Sequence, residues 1–271
     1  MRLFASALPQ KFKIPVFGGF KIKTDKGSKF HFYTNYTSWH GRLLFWDGVK
    51  GYEHEVTSVF SDLISDSRCF LDIGANIGYY SLMAASINPE LEIHAFEPLP
   101  DAQHFLKKSI GENRYQNIRL HQIALSDVND ELTFETRVSK DFPNEKYQIA
   151  GDSSLVNYDQ TDRKQIKVKA QTLDDFVNEH KLKDIDYIKL DTETTEHLII
   201  KGGMETIKQF QPILQCEVIK NQNEKELESL LKELKYTTYL ISEKGLVQIK
   251  NFSVLTQEKN DCLFVPEGRE V

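Results

Sequence analysis

The stretch "FLDIGANIGYYSL", residues 70–82, holds the signal that decides the fold of this chain. An apolar run leads into a glycine-containing turn, and a segment typical of a helix follows. Gly74 and Gly78 let the backbone turn tightly, and they let a ligand approach where a Cβ atom would obstruct it. The following helix offers free N–H groups and the positive end of its dipole. Asp72, at the end of the predicted strand, is placed to accept a hydrogen bond from an amine or from a loop N–H group.

Predicted strands and helices alternate after this turn. The next strands are predicted at "LEIHAFE", "NIRLHQIAL", "QIKVKAQT", "IDYIKLD" and "PILQCEV". Helices are predicted between them, with "PDAQHFLKKSI" and "EKELESLLKELK" as clear amphipathic examples. Such alternation implies right-handed crossovers and an α/β fold with a doubly wound, mostly parallel sheet. The closing segments "TTYLI", "LVQI" and "DCLFV" predict antiparallel strands at the edge of that sheet.

The amino-terminal part has a different pattern. Residues 1–50 are rich in aromatic residues and glycine, and "KFHFYTNY" alternates like one strand of an antiparallel hairpin. Residues 51–64 have the spacing of an amphipathic helix. We therefore predict a small β-rich segment at 1–50 and the α/β domain at 51–271. The first 29 residues carry seven Lys or Arg against the single acid Asp25, which is typical of a solvated basic arm.

Composition narrows the classes of function. The 271 residues carry a net charge of −6, which argues against a nucleic-acid binder. No apolar run approaches the roughly 18 residues of a membrane span, and the amino terminus is a poor signal peptide. Cys69, Cys216 and Cys262 lie far apart in apolar runs, which predicts buried thiols rather than disulfides or a zinc site. We expect a cytoplasmic protein without stable membrane insertion. Its oligomeric state is left open.

Glu97 points to a ribose-containing cofactor. It ends the predicted strand "IHAFE", 19 residues after Gly78. A carboxylate there offers two acceptor oxygens to the vicinal hydroxyls of a ribose, in NAD and in S-adenosylmethionine alike. The loop G-A-N-I-G lacks the G-x-G-x-x-G pattern that brings backbone against a pyrophosphate. It therefore favours a cofactor without phosphates, and an NAD-dependent oxidoreductase is the alternative.

The motifs together resemble the FkbM family of S-adenosylmethionine-dependent methyltransferases, over residues 51–218. Seven of them occur in the family's order: "FLDIGANIGYYSL", "HAFEPLPDA", "NIRLHQIALSD", "GDSSL", "TLDDF", "IKLDTETTEHLIIKGG" and "PILQCEV". The resemblance implies a class I methyltransferase fold with a seven-stranded sheet. It also implies O-methylation of a hydroxyl on a sugar, a glycan or a related small molecule.

The resemblance also implies which residues hold the cofactor. The methionine part would be lined by Asp72, Gly74, Ala75, Asn76 and Gly78. Glu97 would hold the ribose, and the turn with Ala124 and Ser126 would lie beside the adenine. Strand-end capping is the alternative role for the two acids, and a plain turn is the alternative for Ala124 and Ser126. Ser153 and Ser154 of "GDSSL" are further candidate contacts.

Three carboxylates are the catalytic candidates. Asp191 ends the predicted strand "IDYIKLD", Glu193 lies two residues further on, and Glu217 ends the next strand. Ligands of such sheets bind beyond the carboxyl ends of the strands. A hydroxyl is a poor nucleophile that gains from a base within hydrogen-bond reach or from a metal ion. The carboxylates suit Mg²⁺ through hard oxygen ligands, and they suit sugar hydroxyls without a metal. Glu196 fits a helix start as well as a site.

One departure from the family concerns the acceptor side. The family pattern Asp-Val-Glu-Gly-Ala-Glu reads Asp-Thr-Glu-Thr-Thr-Glu at 191–196, so Thr194 and Thr195 replace Gly-Ala. The acids are kept, while a methyl and a hydroxyl group are added near the acceptor. The change affects the acceptor assignment more than the cofactor assignment. It is also the one feature that favours a second alternative, a non-catalytic methyltransferase relative that binds cofactor or glycan.

Overall fold

The computed structural model describes residues 12–149, 163–192, 194–220, 222, 224–256 and 259–271. The strands are β1 (Gly18–Lys23), β2 (Lys29–Thr34), β3 (Cys69–Ile73), β4 (Glu92–Phe96), β5 (Ile118–His121), β6 (Ala124–Ser126), β7 (Glu131–Arg137), β8 (Arg163–Thr172), β9 (Tyr187–Leu190), β10 (Ile213–Ile219), β11 (Tyr236–Ser242), β12 (Gly245–Ile249) and β13 (Lys259–Pro266). The helices are α1 (Trp39–Asp47), α2 (His54–Ile64), α3 (Tyr79–Ile87), α4 (Pro100–Asn113), α5 (Leu173–His180), α6 (Glu196–Lys201), α7 (Met204–Phe210) and α8 (Glu224–Leu234).

The large sheet confirms the predicted α/β class. Its order within the described residues is β12-β11-β13-β10-β9-β3-β4-β5. The strands from β5 to β10 run parallel, and β13 pairs antiparallel with β10 and β11. The sheet has eight strands in the described residues, where the resemblance implied seven, and β12 lies at its edge. The chain order reverses beside β3, between β4 and β9, and this is where such sheets bind ligands.

Alternate residues of the strands serve two separate cores. Phe70 and Tyr187 point to the face covered by α2, α3 and α4, whereas Leu71 and Ile188 point to the face covered by α5 to α8. Burial of both faces explains why these strands read as continuous apolar runs. The three cysteines lie buried and unbridged in β3, β10 and β13, as predicted.

The amino-terminal segment contains the predicted hairpin, in which β1 pairs antiparallel with β2. It also contains α1, which the sequence did not predict. The hydroxyl of Ser38 caps this helix by accepting a hydrogen bond from the backbone N of Gly41 at 3.0 Å. Phe30 and Phe32 of β2 pack in the same core as Phe70, so this segment adds a layer to the core of the large sheet.

Two further comparisons with the sequence concern strands and membranes. The predicted strand "NIRLHQIAL" is divided into β5, in the large sheet, and β6, which pairs with β8 in a separate sheet of three strands. In the described part of the chain, no helix combines the length and apolar character that a membrane crossing needs.

Candidate active site

Asp72 fastens the start of α3 to the end of β3. It is 1% exposed, and its Oδ2 accepts hydrogen bonds from the hydroxyl and the backbone N of Ser81, the latter at 3.0 Å. Burial raises the pKa of Asp72, while Lys189 and the bonds from Ser81 act in the opposite direction. The carboxylate therefore has the capping role that was the alternative to cofactor binding. Both bonds go to one oxygen, so capping and a ligand contact through Oδ1 are compatible.

The two glycines of the turn are required by packing within the protein. Gly74 and Gly78 have φ of +84° and +90°, in the region that favours glycine. A Cβ on Gly74 would lie 2.0 Å from the carbonyl oxygen of Asp191, and one on Gly78 would lie 2.2 Å from Cδ1 of Leu106. The first of these contacts has a functional consequence. The backbone of the predicted cofactor loop lies directly against the backbone of Asp191, the first catalytic candidate.

Glu97 joins this loop to the end of β4. It is 5% exposed, and its two oxygens accept hydrogen bonds from the backbone N of Asn76 and of Leu99, both at 2.8 Å. Burial raises the pKa of Glu97 to about 7, against the effect of these two bonds. Asn76 has a left-handed φ of 49°, and its N–H points to the carboxylate. Each carboxylate oxygen can accept a second hydrogen bond, so the residue suits a ribose diol.

The remaining cofactor candidates lie nearby along the chain. Ala75 continues the loop, and its backbone N donates to the carbonyl of Phe96 at 2.9 Å. Ala124 and Ser126 lie in β6 and are each 6% exposed. A contact between these two residues and an adenine stays a prediction.

The strand register places the catalytic candidates side by side. Leu190 of β9 pairs with Cys216 of β10, so the next residues, Asp191 and Glu217, are neighbours. Glu217 lies opposite Asp261 of β13. Three carboxyl groups therefore form a row across adjacent strands, at the carboxyl ends of β9 and β10. They line one small cavity, which has room for about one water molecule.

Lys189 is a charged residue in this cavity that sequence reasoning missed. It is 4% exposed, and its Nζ lies 2.6 Å from Oδ2 of Asp191. Burial lowers the pKa of Lys189, but Asp191, Glu53 and Asp72 together outweigh this effect and raise it. Lys189 in turn lowers the pKa of Asp191 against the effect of burial. The sequence did contain a signal for this residue, because a lysine interrupts the otherwise apolar strand "YIKL".

A residue from the amino-terminal side completes the wall of the cavity. Glu53, directly before α2, lines the cavity and accepts a hydrogen bond from the hydroxyl of Tyr80. The ring of Tyr80 lies under the Nζ of Lys189, 4.4 Å from ring centroid to nitrogen. Tyr80 packs in the core at 5% exposure, and it also links Glu53 to the buried lysine.

Glu196 belongs to the loop rather than to the cavity. It is 1% exposed, and its Oε1 accepts hydrogen bonds from the backbone N of Thr192 and of Thr194, at 2.9 and 3.2 Å. This supports the helix-start role. Thr194 has φ of +89°, an unusual conformation for a β-branched residue and one that glycine adopts easily. The position where the family has glycine therefore keeps a glycine-like backbone here. Glu193 lies outside the described residues, as do Ser153 and Ser154.

The suggested Mg²⁺ site finds no support in the described residues. No three His, Cys, Asp or Glu side chains in those parts of the chain are arranged to hold a metal ion. In the described geometry, Asp191 and Glu217 are instead engaged by Lys189 and Lys259, at 2.6 and 2.9 Å.

A mostly parallel sheet, a glycine turn after β3, a buried acid after β4 and carboxyl groups beyond β9 and β10 together define a chain of the class I methyltransferase type. The sequence profile of the family described as "Methyltransferase FkbM domain" matches residues 72–241. The chain belongs to this family.

The individual relatives described next have low sequence identity to this chain. The 2-O-methyltransferase NoeI of Sinorhizobium fredii is 28% identical over 147 residues, which cover 51% of this chain and 58% of that protein. Methyltransferase 1 of Beauveria bassiana is 25% identical over 51% of this chain and 59% of its own length. The chain thus spans somewhat over half the length of these curated relatives. A crystal structure of methyltransferase FkbM from Methylobacillus flagellatus aligns with a TM-score of 0.48 at 17% identity, over 74% of this chain and 44% of that one.

Proposed function

We propose that the protein is an S-adenosylmethionine-dependent O-methyltransferase that acts on a hydroxyl of a sugar, a glycan or a related small molecule. One observation carries the proposal. Gly74 of the cofactor loop packs against the backbone carbonyl of Asp191, whose side chain lines the carboxylate cavity. A methyl group held at the loop would therefore lie beside carboxylates that orient a hydroxyl. The name of the relative NoeI, a 2-O-methyltransferase, agrees with this chemistry.

The described residues fit this cofactor. Glu97, with two oxygens fixed by backbone N–H groups, would accept hydrogen bonds from the ribose hydroxyls. Asp72 and the backbone of the loop from Gly74 to Gly78 would hold the amino-acid end. When bound, S-adenosylmethionine supplies a sulfonium methyl group for in-line displacement. The protein contributes the alignment of the acceptor oxygen, which can supply much of the acceleration.

Asp191 has the environment of a residue that orients the acceptor. Lys189 keeps its carboxylate ionised, so it accepts a hydrogen bond from the acceptor hydroxyl and takes up the proton as the oxygen is methylated. Glu217, its neighbour in the row, lies 2.9 Å from the Nζ of Lys259 and serves as a second acceptor for the substrate's hydroxyls. Glu193 stays a candidate for the same role.

The cofactor assignment is tested by calorimetric titration. We expect S-adenosylhomocysteine to bind and NAD not to bind. Glu97→Gln should weaken binding by at least about tenfold, the loss expected for hydrogen bonds to a charged group. Glu90→Gln, an exposed acid in the turn before β4, is the matched control and should leave binding unchanged. Binding of NAD alone would replace the proposal with the oxidoreductase alternative.

The catalytic assignment is tested with labelled S-adenosylmethionine and a panel of sugars and glycans. We expect Asp191→Asn to retain S-adenosylhomocysteine binding and to lower turnover by about 10²-fold or more, as loss of a general base does. Asp184→Asn, an acid on the opposite edge of the sheet paired with Arg68, is the control. Unchanged turnover in Asp191→Asn would remove this residue from the mechanism. Cofactor binding with no transfer to any acceptor would favour the non-catalytic alternative.

A further inference from the structure

The amino-terminal end of the described chain carries a patch of exposed apolar side chains. Phe12, Ile14, Phe17 and Tyr36 are between 42% and 66% exposed, and the other large apolar side chains exposed in the described residues are valines spread over the rest of the chain. The ring centroids of Phe17 and Tyr36 lie 5.5 Å apart, and the ring of Phe142 stacks on Tyr36 at 5.3 Å. Clustered exposed apolar side chains mark interaction surfaces, whereas scattered ones need no explanation.

Contacts with α1 hold this apolar patch in place. Nε1 of Trp46 donates a hydrogen bond to the carbonyl oxygen of Ile14 at 3.0 Å. Lys13 points inward to an ion pair with Asp47 at 2.6 Å, which leaves its neighbours Phe12 and Ile14 on the outside. The apolar side chains are therefore presented to solvent by the fold, and a partner can cover them without rearrangement.

The hairpin beside the apolar patch presents lysines to solvent. Its apolar residues point into the core, so the alternate residues Lys21, Lys23 and Lys29 lie on its outer face and are exposed. Lys23 and Lys29 are directly opposite each other in the register of β1 and β2. The patch lies at the open end of the same hairpin, because Phe17 directly precedes β1 and Tyr36 follows β2 by two residues.

The charge of this segment is opposite to that of the rest of the chain. Residues 1–29 carry a net charge of +6, from seven Lys or Arg and one Asp, whereas the remaining 242 residues carry −12. Lys23 and Lys29 have no ion-pair partner among the residues that the structure describes. Salt screens charges over roughly 8 Å at physiological ionic strength, so the local excess decides which partner approaches this face. An anionic partner is favoured here and disfavoured over the remaining surface.

We propose that the apolar patch and the lysines of the hairpin dock the protein reversibly on the surface of a bilayer that contains anionic lipids. The apolar side chains enter the boundary between headgroups and acyl chains, while the lysines stay beside the lipid phosphates. Apolar insertion and a basic patch are the two signals that together give stable binding to a membrane surface. Nucleic acid is anionic as well, but a bilayer also offers an apolar layer to Ile14 and Phe17.

Docking of this kind needs no membrane-spanning helix, because only side chains enter one face of the bilayer. It is also independent of the proposed methyl transfer. Neither cofactor binding nor an acceptor is needed to measure it, so its failure would leave the proposed function unaffected.

Sedimentation with lipid vesicles tests the lipid preference. One set of vesicles is pure phosphatidylcholine, and the other is an equal mixture of phosphatidylcholine and phosphatidylglycerol. At physiological ionic strength we expect binding to the anionic vesicles to be at least about tenfold tighter, because several lysines approach lipid phosphates. High salt should weaken this preference. Equal binding to the two sets, or no binding to either, would overturn the proposal.

A lysine variant assigns the charge effect to the hairpin. Lys23→Gln combined with Lys29→Gln should lower the affinity for the anionic vesicles about tenfold or more. The matched control is Lys225→Gln combined with Lys232→Gln, which removes the same charge from exposed positions of α8, on the opposite face of the sheet. An equal loss in the control would show that only the overall charge matters.

An apolar variant assigns the insertion to the patch. Ile14→Ser combined with Phe17→Ser should lower the affinity for anionic vesicles about tenfold or more, since both side chains lose their burial in the bilayer. Val247→Ser combined with Val254→Ser is the control, because these exposed valines lie outside the patch. An unchanged midpoint of thermal unfolding shows that each variant folds, as expected for exposed positions.

Two results of the variant series would contradict the proposal. Vesicle binding that survives in both the lysine variant and the apolar variant would place the contact elsewhere on the molecule. Light scattering covers the other possible occupant of the patch, a second copy of the chain. A dimer that the apolar variant dissociates, in a protein that binds no vesicles, would assign the patch to that contact instead.

Discussion

At the scale of single residues, Gly74 connects the fold to the chemistry. Its missing Cβ allows the loop to touch the carbonyl of Asp191, a residue 117 positions later in the chain. Gly74→Ala would combine a collision at 2.0 Å with an unfavourable φ of +84°. We expect a loss of about 3 kcal/mol or more in the free energy of unfolding, measured with urea. Weaker binding of S-adenosylhomocysteine should accompany it.

The control for this variant is Gly111→Ala in α4. A Cβ at Gly111 meets nothing within 4 Å, so alanine should stabilise the helix by about 0.5–1 kcal/mol. If Gly74→Ala were as stable as the unmodified protein, the close contact between the loop and β9 would be wrong.

Thr194 gives a second prediction at this scale. Its φ of +89° is strained for threonine, so Thr194→Gly should raise the free energy of unfolding by about 1 kcal/mol. Thr195→Gly is the matched control, because Thr195 has an ordinary φ of −101° and its hydroxyl bonds to that of Thr192 at 2.9 Å. This control should lose about 0.5–1 kcal/mol. Equal losses in the two variants, again by urea unfolding, would show that Thr194 is not strained.

The sequence predicted residues whose role depends on local position, and it missed those that depend on distant partners. Asp72 and Glu97 end strands, and strand ends are readable from hydrophobic patterns. The pairing of Asp191 with Lys189 could have been predicted from the sequence, since both residues lie near the end of β9. The presence of Glu53 and Asp261 in the same cavity could not have been predicted, because they enter it from segments far away in sequence. A tight turn and ligand access were the predicted reasons for the two glycines of the loop. The structure adds that packing within the protein also requires them.

At the scale of elements, a histidine pair joins β4 to β5. Nδ1 of His94 lies 2.9 Å from Nε2 of His121, and the two rings stack within 4° of parallel. Burial lowers the pKa of His121 to about 3, and His94, His180 and Arg119 lower it further by charge repulsion. One ring must donate and the other accept, so the pair needs at least one neutral imidazole.

This pair should make stability depend on pH. Above the ordinary pKa of 6.5, neither the folded nor the unfolded state protonates His121. Below it, the unfolded state binds a proton that the folded state refuses, so the free energy of unfolding falls as the pH decreases toward about 3. His121→Gln should reduce that slope by up to about 1.4 kcal/mol per pH unit in urea titrations. His31→Gln, on β2, is the control. An unchanged slope in His121→Gln would mean that this ring titrates normally.

The boundaries of helices and strands show what hydrophobic patterns in the sequence cannot predict. The helix α2 and the hairpin followed their hydrophobic periods and were predicted correctly. The division of "NIRLHQIAL" into β5 and β6 was missed, because the apolar run continues while the chain changes sheets. Pairing partners lie outside the segment itself, so its period cannot reveal such a change. The helix α1 was missed because its aromatic residues and glycine favour a strand or a loop.

At the scale of the whole molecule, the hairpin and the large sheet share one core. Phe30 and Phe32 of β2 are 1% and 0% exposed, and they pack in one cluster with Tyr79 of α3 and Phe105 of α4. The sequence separated residues 1–50 from 51–271 because hydrophobic pattern and composition change there. A change of pattern marks a change of local structure, while a separate folding unit requires its own core. We therefore expect the two segments to unfold together.

Calorimetry can decide whether they do. We expect a single transition for the whole chain, and we expect Phe32→Ala to shift all of it by lowering the free energy of unfolding about 3–5 kcal/mol. Phe17→Ala is the matched control, since this phenylalanine belongs to the same segment but is 64% exposed, and its removal should change stability by within about 0.5 kcal/mol. Two transitions, of which Phe32→Ala moved only one, would show that the hairpin folds independently.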